Sequence, residues 1–169
     1  MKSVLLVLMI GGVVHADPKV PQDVTDLAKI VTGTWKCTGN ARAPGEPEML
    51  ATTAVLKFKA DLDGYFIRES TESRVGKVKS RSEAFMTYDG KKWRRAEFGG
   101  FGQQMIGSAD PIKDGKLAFN LDVMTGGSVG AQVREHFDIA DPKSLKFSGE
   151  VSLDKGKTWS KVVEISCKK

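Results

Sequence analysis

Apolar and polar residues alternate with a period of two along most of this chain. The alternation is cleanest in the last third. There Leu117, Phe119, Leu121 and Val123 are followed by Val133, Phe137 and Ile139, then Leu145, Phe147, Val151 and Leu153, then Trp159, Val163 and Ile165. Successive strand side chains point to opposite faces, so these odd positions predict one shared apolar interior. Turn residues punctuate the runs at Asp63-Gly64, Asp89-Gly90, Asp114-Gly115, Gly126-Gly127, Asp141-Pro142 and Lys155-Gly156. Asp-Gly between alternating runs signals a hairpin, because glycine accepts the positive φ such turns require. The pattern predicts about ten strands and no long helix beyond residue 32. An antiparallel up-and-down meander closed into a barrel hides the edges of so many strands, so the expected class is all-β.

The first 31 residues follow a different rhythm. Lys2 precedes an apolar run, Val4 to Val14, broken only by Gly11 and Gly12, and Val14-His15-Ala16 fits a small-x-Ala cleavage rule. Residues 1–16 therefore read as a signal peptide cut before Asp17. The run is shorter than the roughly 20 residues a membrane-spanning helix needs, so no integral span is expected. No cysteine follows it to accept a lipid. Residues 17–31 read as a linker with two prolines and a short helix, capped by Asp23 and running through Val31. Val24, Leu27, Ala28 and Val31 share one face of it. Residues 32–169 remain as one barrel domain, long enough to bury its own core.

Export to the periplasm or beyond decides how the two cysteines are read. Cys37 lies in the first predicted strand and Cys167 in the last, on the parity of Trp35 and Ile165 respectively. In an oxidising compartment they are expected to form a disulfide that joins the two ends of the sheet.

Charge adds little. Lys2 leaves with the signal peptide, so the mature chain keeps 25 cations against 21 anions, a net +4. The densest run, Lys91-Lys92-Trp93-Arg94-Arg95, follows Tyr88-Asp89-Gly90 and reads as a solvated hairpin corner. No recognition motif accompanies it, so no nucleic-acid partner is expected.

Thr32-Gly33-Thr34-Trp35-Lys36-Cys37-Thr38-Gly39, after a short helix and at the start of the first strand, resembles the opening strand of calycin-type barrels. In lipocalins and fatty-acid-binding proteins the matching Trp closes one end beneath the N-terminal helix, a packing role the resemblance implies for Trp35. More loosely, over residues 22–169, the chain resembles a widespread uncharacterised family of exported bacterial proteins. That family has a Gly-Thr-Trp start, a Tyr-Asp centre and a cysteine near its C-terminus. The opening strand is also similar to the haem-binding nitrobindin barrels, matched at Gly33, Trp35 and Gly39 and departing at Cys37. Those barrels hold iron through a histidine near the C-terminus, and this chain has none after His136. His136 itself alternates with Glu135 and Phe137 and is expected to face outward, so neither haem nor another cofactor is expected.

Ser152-Leu153-Asp154-Lys155-Gly156-Lys157-Thr158-Trp159 fits the Asp-box pattern Ser-x-Asp-x-Gly-x-Thr-Trp and resembles the hairpin repeated in sialidase propellers. One copy without an arginine cluster implies a local hairpin: Ser152, Asp154, Gly156, Thr158 and Trp159 are structural. Phe98 to Met105 and Met124 to Gly130 are glycine-rich but lack phosphate-cradle spacing, and read as mobile loops at a barrel mouth.

No catalytic or metal-binding set emerges. The mature chain holds one histidine and no Gly-x-Ser-x-Gly elbow, and paired cysteines leave His136 without a soft co-ligand. What stands out is charge on apolar parity: Glu135 between Val133 and Phe137, Glu83 before Phe85, and Glu69 after Ile67. An inward carboxylate is costly unless paired, so Arg68 or Arg95 is expected to meet one inside. The predicted pocket lining is Phe58, Arg68, Phe85, Arg95, Met105, Phe119, Glu135 and Phe137. Three functions follow. The first is interior binding of a small hydrophobic or amphipathic molecule. The second is acid-base catalysis by Glu135 with Glu69 or Arg68, and the third a filled, ligand-free structural or envelope-interaction protein. The sequence leaves the oligomeric state open.

Overall fold

The computed structural model describes residues 19–43, 45–125 and 127–169. The predicted signal peptide and the first two linker residues lie outside them. Helix α1 (Gln22–Val31) precedes ten strands: β1 (Gly33–Ala41), β2 (Leu50–Asp61), β3 (Phe66–Val75), β4 (Val78–Tyr88), β5 (Trp93–Gly99), β6 (Gln104–Ala109), β7 (Lys116–Thr125), β8 (Ser128–Asp141), β9 (Ser144–Ser152) and β10 (Ser160–Lys168). Each strand pairs antiparallel with the next, and β10 pairs with β1 to close the barrel. The up-and-down barrel with one short leading helix is the predicted fold.

The closing seam carries the disulfide. Cys37 and Cys167 are register partners on β1 and β10, both buried, with Cα atoms 4.0 Å apart. Their inward parity is the one predicted. Two glycines let neighbouring strands cross closely. A Cβ at Gly39 would strike the Glu164 carbonyl oxygen on β10, and one at Gly107 would strike that of Asn120 on β7. Gly39 in the Gly-x-Trp pattern is thus a seam requirement.

The two ends of the barrel differ. Helix α1 lies across one end and buries Val24, Leu27 and Val31. Beneath it a packed layer of Trp35, Phe58, Ile67, Met86, Trp93, Leu117, Ile139 and Leu145 fills the interior. Trp35 donates its indole Nε1–H to the Val31 carbonyl at 2.7 Å, pinning the helix end, and Lys169 Nζ lies 4.8 Å from the Trp35 ring centre. This is the closing role that the calycin resemblance implies. The helix starts two residues earlier than predicted: Pro21 rather than Asp23 holds the cap position, with no side-chain cap, and Asp23 sits in the first turn.

The tight Asp-Gly and Asp-Pro turns join strands at this closed end. The opposite end carries the described residues 42–43, 45–49, 76–77, 100–103, 127 and 153–159. The described parts of both glycine-rich segments therefore reach the open end, as does the Asp-box hairpin. There Asp154 Oδ1 accepts from Ser152 Oγ at 2.8 Å and from the amides of Lys157 and Thr158 at 3.0 and 2.8 Å. Its Oδ2 accepts from Thr158 Oγ1 at 2.7 Å, and Trp159 Nε1 donates to the Gly156 carbonyl at 3.1 Å.

Candidate functional site

β5 begins with Trp93 fully buried at the closed end, so alternation sends Arg95 and Glu97 inward as well. Arg95, 3 % exposed, meets carboxyl groups from three strands. Its Nη1 donates to Glu69 Oε2 on β3 at 2.8 Å and its Nη2 to Glu97 Oε2 at 2.6 Å. Its Nε lies 2.9 Å from Glu135 Oε2 on β8. Neither of those last two atoms makes a well-aligned hydrogen bond, so charge rather than direction holds that contact. Thr71 Oγ1 donates to Glu69 Oε1 at 3.0 Å. Below the guanidinium, the rings of Phe119 and Phe137 lie 5.7 and 5.5 Å from its carbon and meet each other edge to face. This aromatic floor separates the charged cluster from the packed half.

The electrostatics follow from burial with unequal charge. Burial pushes Glu135 up to about 8; Arg95 pulls the other way, and Glu97 and Glu69 add repulsion. For Arg95, burial opposes the charged form, but Glu69, Glu135 and Glu97 outweigh it and hold its guanidinium above its ordinary value.

Above the cluster, toward the open end, lies a cavity of about 330 Å³. Glu69, Arg95, Glu97 and Glu135 line it. Its remaining wall is two-sided. β8, β9 and β10 contribute Val133, Phe147, Val163 and Ile165, with Met105 from β6, whereas β3 and β4 contribute Thr71, Ser73, Ser80 and Ser82, ending in Val75 and Val78 at the rim. Gly99, Gly100, Phe101 and Gln103 border the mouth. Gly149 on β9 and Ala54 on β2 are the small inward residues that leave the room. A wider depression of about 590 Å³ lies on the outer rim across β2 to β4, and it contains none of the buried cluster.

The predicted lining divides three ways. Arg95, Met105 and Glu135 face the cavity. Phe58 lies in the packed layer near the helix, and Phe119 and Phe137 form the floor below Arg95. Arg68 and Phe85 are on the outer face, and this corrects the reading of them as interior. Ile67 and Glu69 take the inward positions of β3, and Ala84 and Met86 those of β4. Arg68 instead pairs with Glu83 at 2.8 Å outside the barrel and lies 5.8 Å from the Phe85 ring centre. Glu97 was missed, although it stands two residues beyond Arg95 on the same parity. The cationic run is split by its strand: Lys91 and Lys92 stay at the turn, Arg94 pairs outside with Asp89 at 2.7 Å, and Arg95 turns in. His136 is exposed on the outer face of β8, as predicted.

A closed antiparallel barrel, plugged by a helix at one end and hollow at the other, is of the calycin-like kind. Solved structures from two organisms are among those that share it. Rv2717c from M. tuberculosis superposes with a TM-score of 0.66 at 10% identity, covering 89% of this chain and 99% of that one. The S-type phycobiliprotein lyase CPES from Guillardia theta gives 0.53 at 15% identity, covering 85% and 89%. At such identities the likeness is one of fold. No protein-family model and no curated protein matches the sequence.

Proposed function

We propose that this chain is an exported barrel that holds a small apolar or amphipathic molecule in its open half. The observation that supports this most directly is the cavity of about 330 Å³, within the range of small-molecule sites and walled by apolar side chains on one side and hydroxyls on the other. Burial against Val133, Val163, Phe147 and Met105 supplies the affinity, at roughly 25 cal/mol per Å² removed from water. The buried Arg95 cluster at its base fixes orientation. The test is fluorescence titration of the oxidised protein with the apolar probe N-phenyl-1-naphthylamine, alongside native mass spectrometry of freshly purified material. Saturable binding that Val163→Trp abolishes supports the reading. Absence of both binding and a copurifying mass would leave a ligand-free structural protein.

Catalysis on the same guest has one observation in its favour. Glu135, pushed up to about 8, keeps a proton at neutral pH beside a cavity, which is the state a general acid needs. Turnover of a bound compound that disappears in Glu135→Gln would establish it. Arg68, on the outer face, has no part in this version.

A further inference from the structure

Three carboxyl groups surround one guanidinium, that of Arg95, at the base of the cavity. Each of its nitrogens faces its own carboxylate oxygen: Nη1 that of Glu69, Nη2 that of Glu97 and Nε that of Glu135, at 2.8, 2.6 and 2.9 Å. A ligand carboxylate or phosphate approaching Arg95 therefore meets the repulsion of three glutamates already seated around it. Even with one carboxyl protonated, the cluster holds one negative charge that Arg95 does not balance. Among the described residues, no lysine or histidine lines the cavity. Two other arginines line it from the mouth rather than the base: Arg81 reaches Glu72 outside the barrel at 3.8 Å, and Arg42 keeps a buried Nε without a hydrogen-bond partner. The guanidinium also occupies the centre of the carboxylates, where a metal ion would have to sit.

Resting on the reading of this cavity as a guest site, we propose that the guest is a monocationic amphiphile, an alkyl or aryl amine. Its ammonium group lies against Glu97 and Glu135 and its apolar part runs along β8 to β10. Glu97 has the most open side chain of the three carboxylates and marks the point of contact. An ammonium carries three donors and one charge, which match the acceptor-rich base and the hydroxyls of Thr71 and Ser82 beside it. The apolar wall takes the hydrocarbon.

Calorimetric titration of the oxidised protein with n-octylammonium, n-octanol and n-octanoate tests this, because the three differ only in the head group. Octylammonium should bind about tenfold or more tighter than octanol, and octanoate weakest of all. Glu97→Gln should bring the amine down to the level of the alcohol and leave the alcohol unchanged, and the alcohol binding doubles as the check that the variant is folded. If Glu97→Gln does not fold, the order of the three ligands on the unaltered protein decides. Octanol equal to octylammonium, or octanoate ahead of it, overturns the amine assignment while leaving the guest cavity in place. Failure of all three to bind overturns the cavity reading and this inference with it.

Discussion

Removing the titrating group at Glu135 should change how stability depends on pH. Glu135 is fully buried and its pKa rises from 4.5 to about 8 on folding. Its folded pKa lies above the unfolded one, so the folded state binds the proton more tightly. The stabilisation is complete below about pH 4.5 and is lost as pH climbs toward 8. Each pH unit in that window is worth about 1.4 kcal/mol, so stability should fall by about 4 kcal/mol between pH 5 and pH 8. For a domain of this size that corresponds to a Tm lower by about 10 °C. Carboxylates with depressed pKa slope the opposite way but act elsewhere. Asp89 and Asp154, both held near 2 by hydrogen bonds, lose their contribution only as pH falls below their ordinary value of 3.8. Glu135→Gln keeps the shape, cannot ionise, and should flatten the slope, leaving the variant more stable than the parent at pH 8. Denaturant melts at a series of pH values measure this. Parallel curves for parent and variant, or a parent that gains stability from pH 5 to 8, would refute the reasoning.

Further outcomes follow from other parts of the barrel. Cys167→Ser removes a link spanning 130 residues, worth about 5 kcal/mol on the loop-entropy account, and should lower Tm by several degrees or more, read by calorimetry beside a thiol count. Gly107→Ala forces a methyl group onto the Asn120 carbonyl oxygen and should cost roughly 1–3 kcal/mol or more in urea melts, without altering the cavity chemistry. Asp154→Ala strips the acceptor from the β9–β10 hairpin and should lower Tm, yet leave apolar-probe affinity unchanged. Arg95→Met strands three buried carboxyl groups and should cost about 3–5 kcal/mol, whereas combining it with Glu69→Gln, Glu97→Gln and Glu135→Gln should recover much of that loss.

The strand count, the paired termini and the inner face of β7 to β9 were legible because alternation there is unbroken and turn chemistry is explicit. Parity failed where local features contradict it. Phe85 looked interior because it is aromatic, yet small Ala84 and Met86 take the inner positions of β4, and the Arg68 side chain covers the ring outside. Trp159 shared the parity of Val163, but a register shift between Lys161 and Val163 breaks the phase, and the ring stacks under Arg134 at 3.8 Å instead. Leu153, read as interior, is at an exposed hairpin tip. The cavity itself was not legible, since its position depends on which layers receive large residues. Trp35, Phe58 and Trp93 crowd the helix end, while Gly149 and Ala54 thin the other. The carboxyl cluster was half visible: Glu69, Glu135 and Arg95 were each marked by parity, but their convergence on one guanidinium needed the register of three strands.

Because the opening ribbon lies against the final one, the molecule has no self-sufficient front portion. The cylinder cannot close until β10 is available to pair with β1, so assembly proceeds through contacts distant in sequence, which fold slowly. Under the proposed export, such a delay keeps the polypeptide threadable for passage across a membrane, and thiol oxidation then locks the finished hoop.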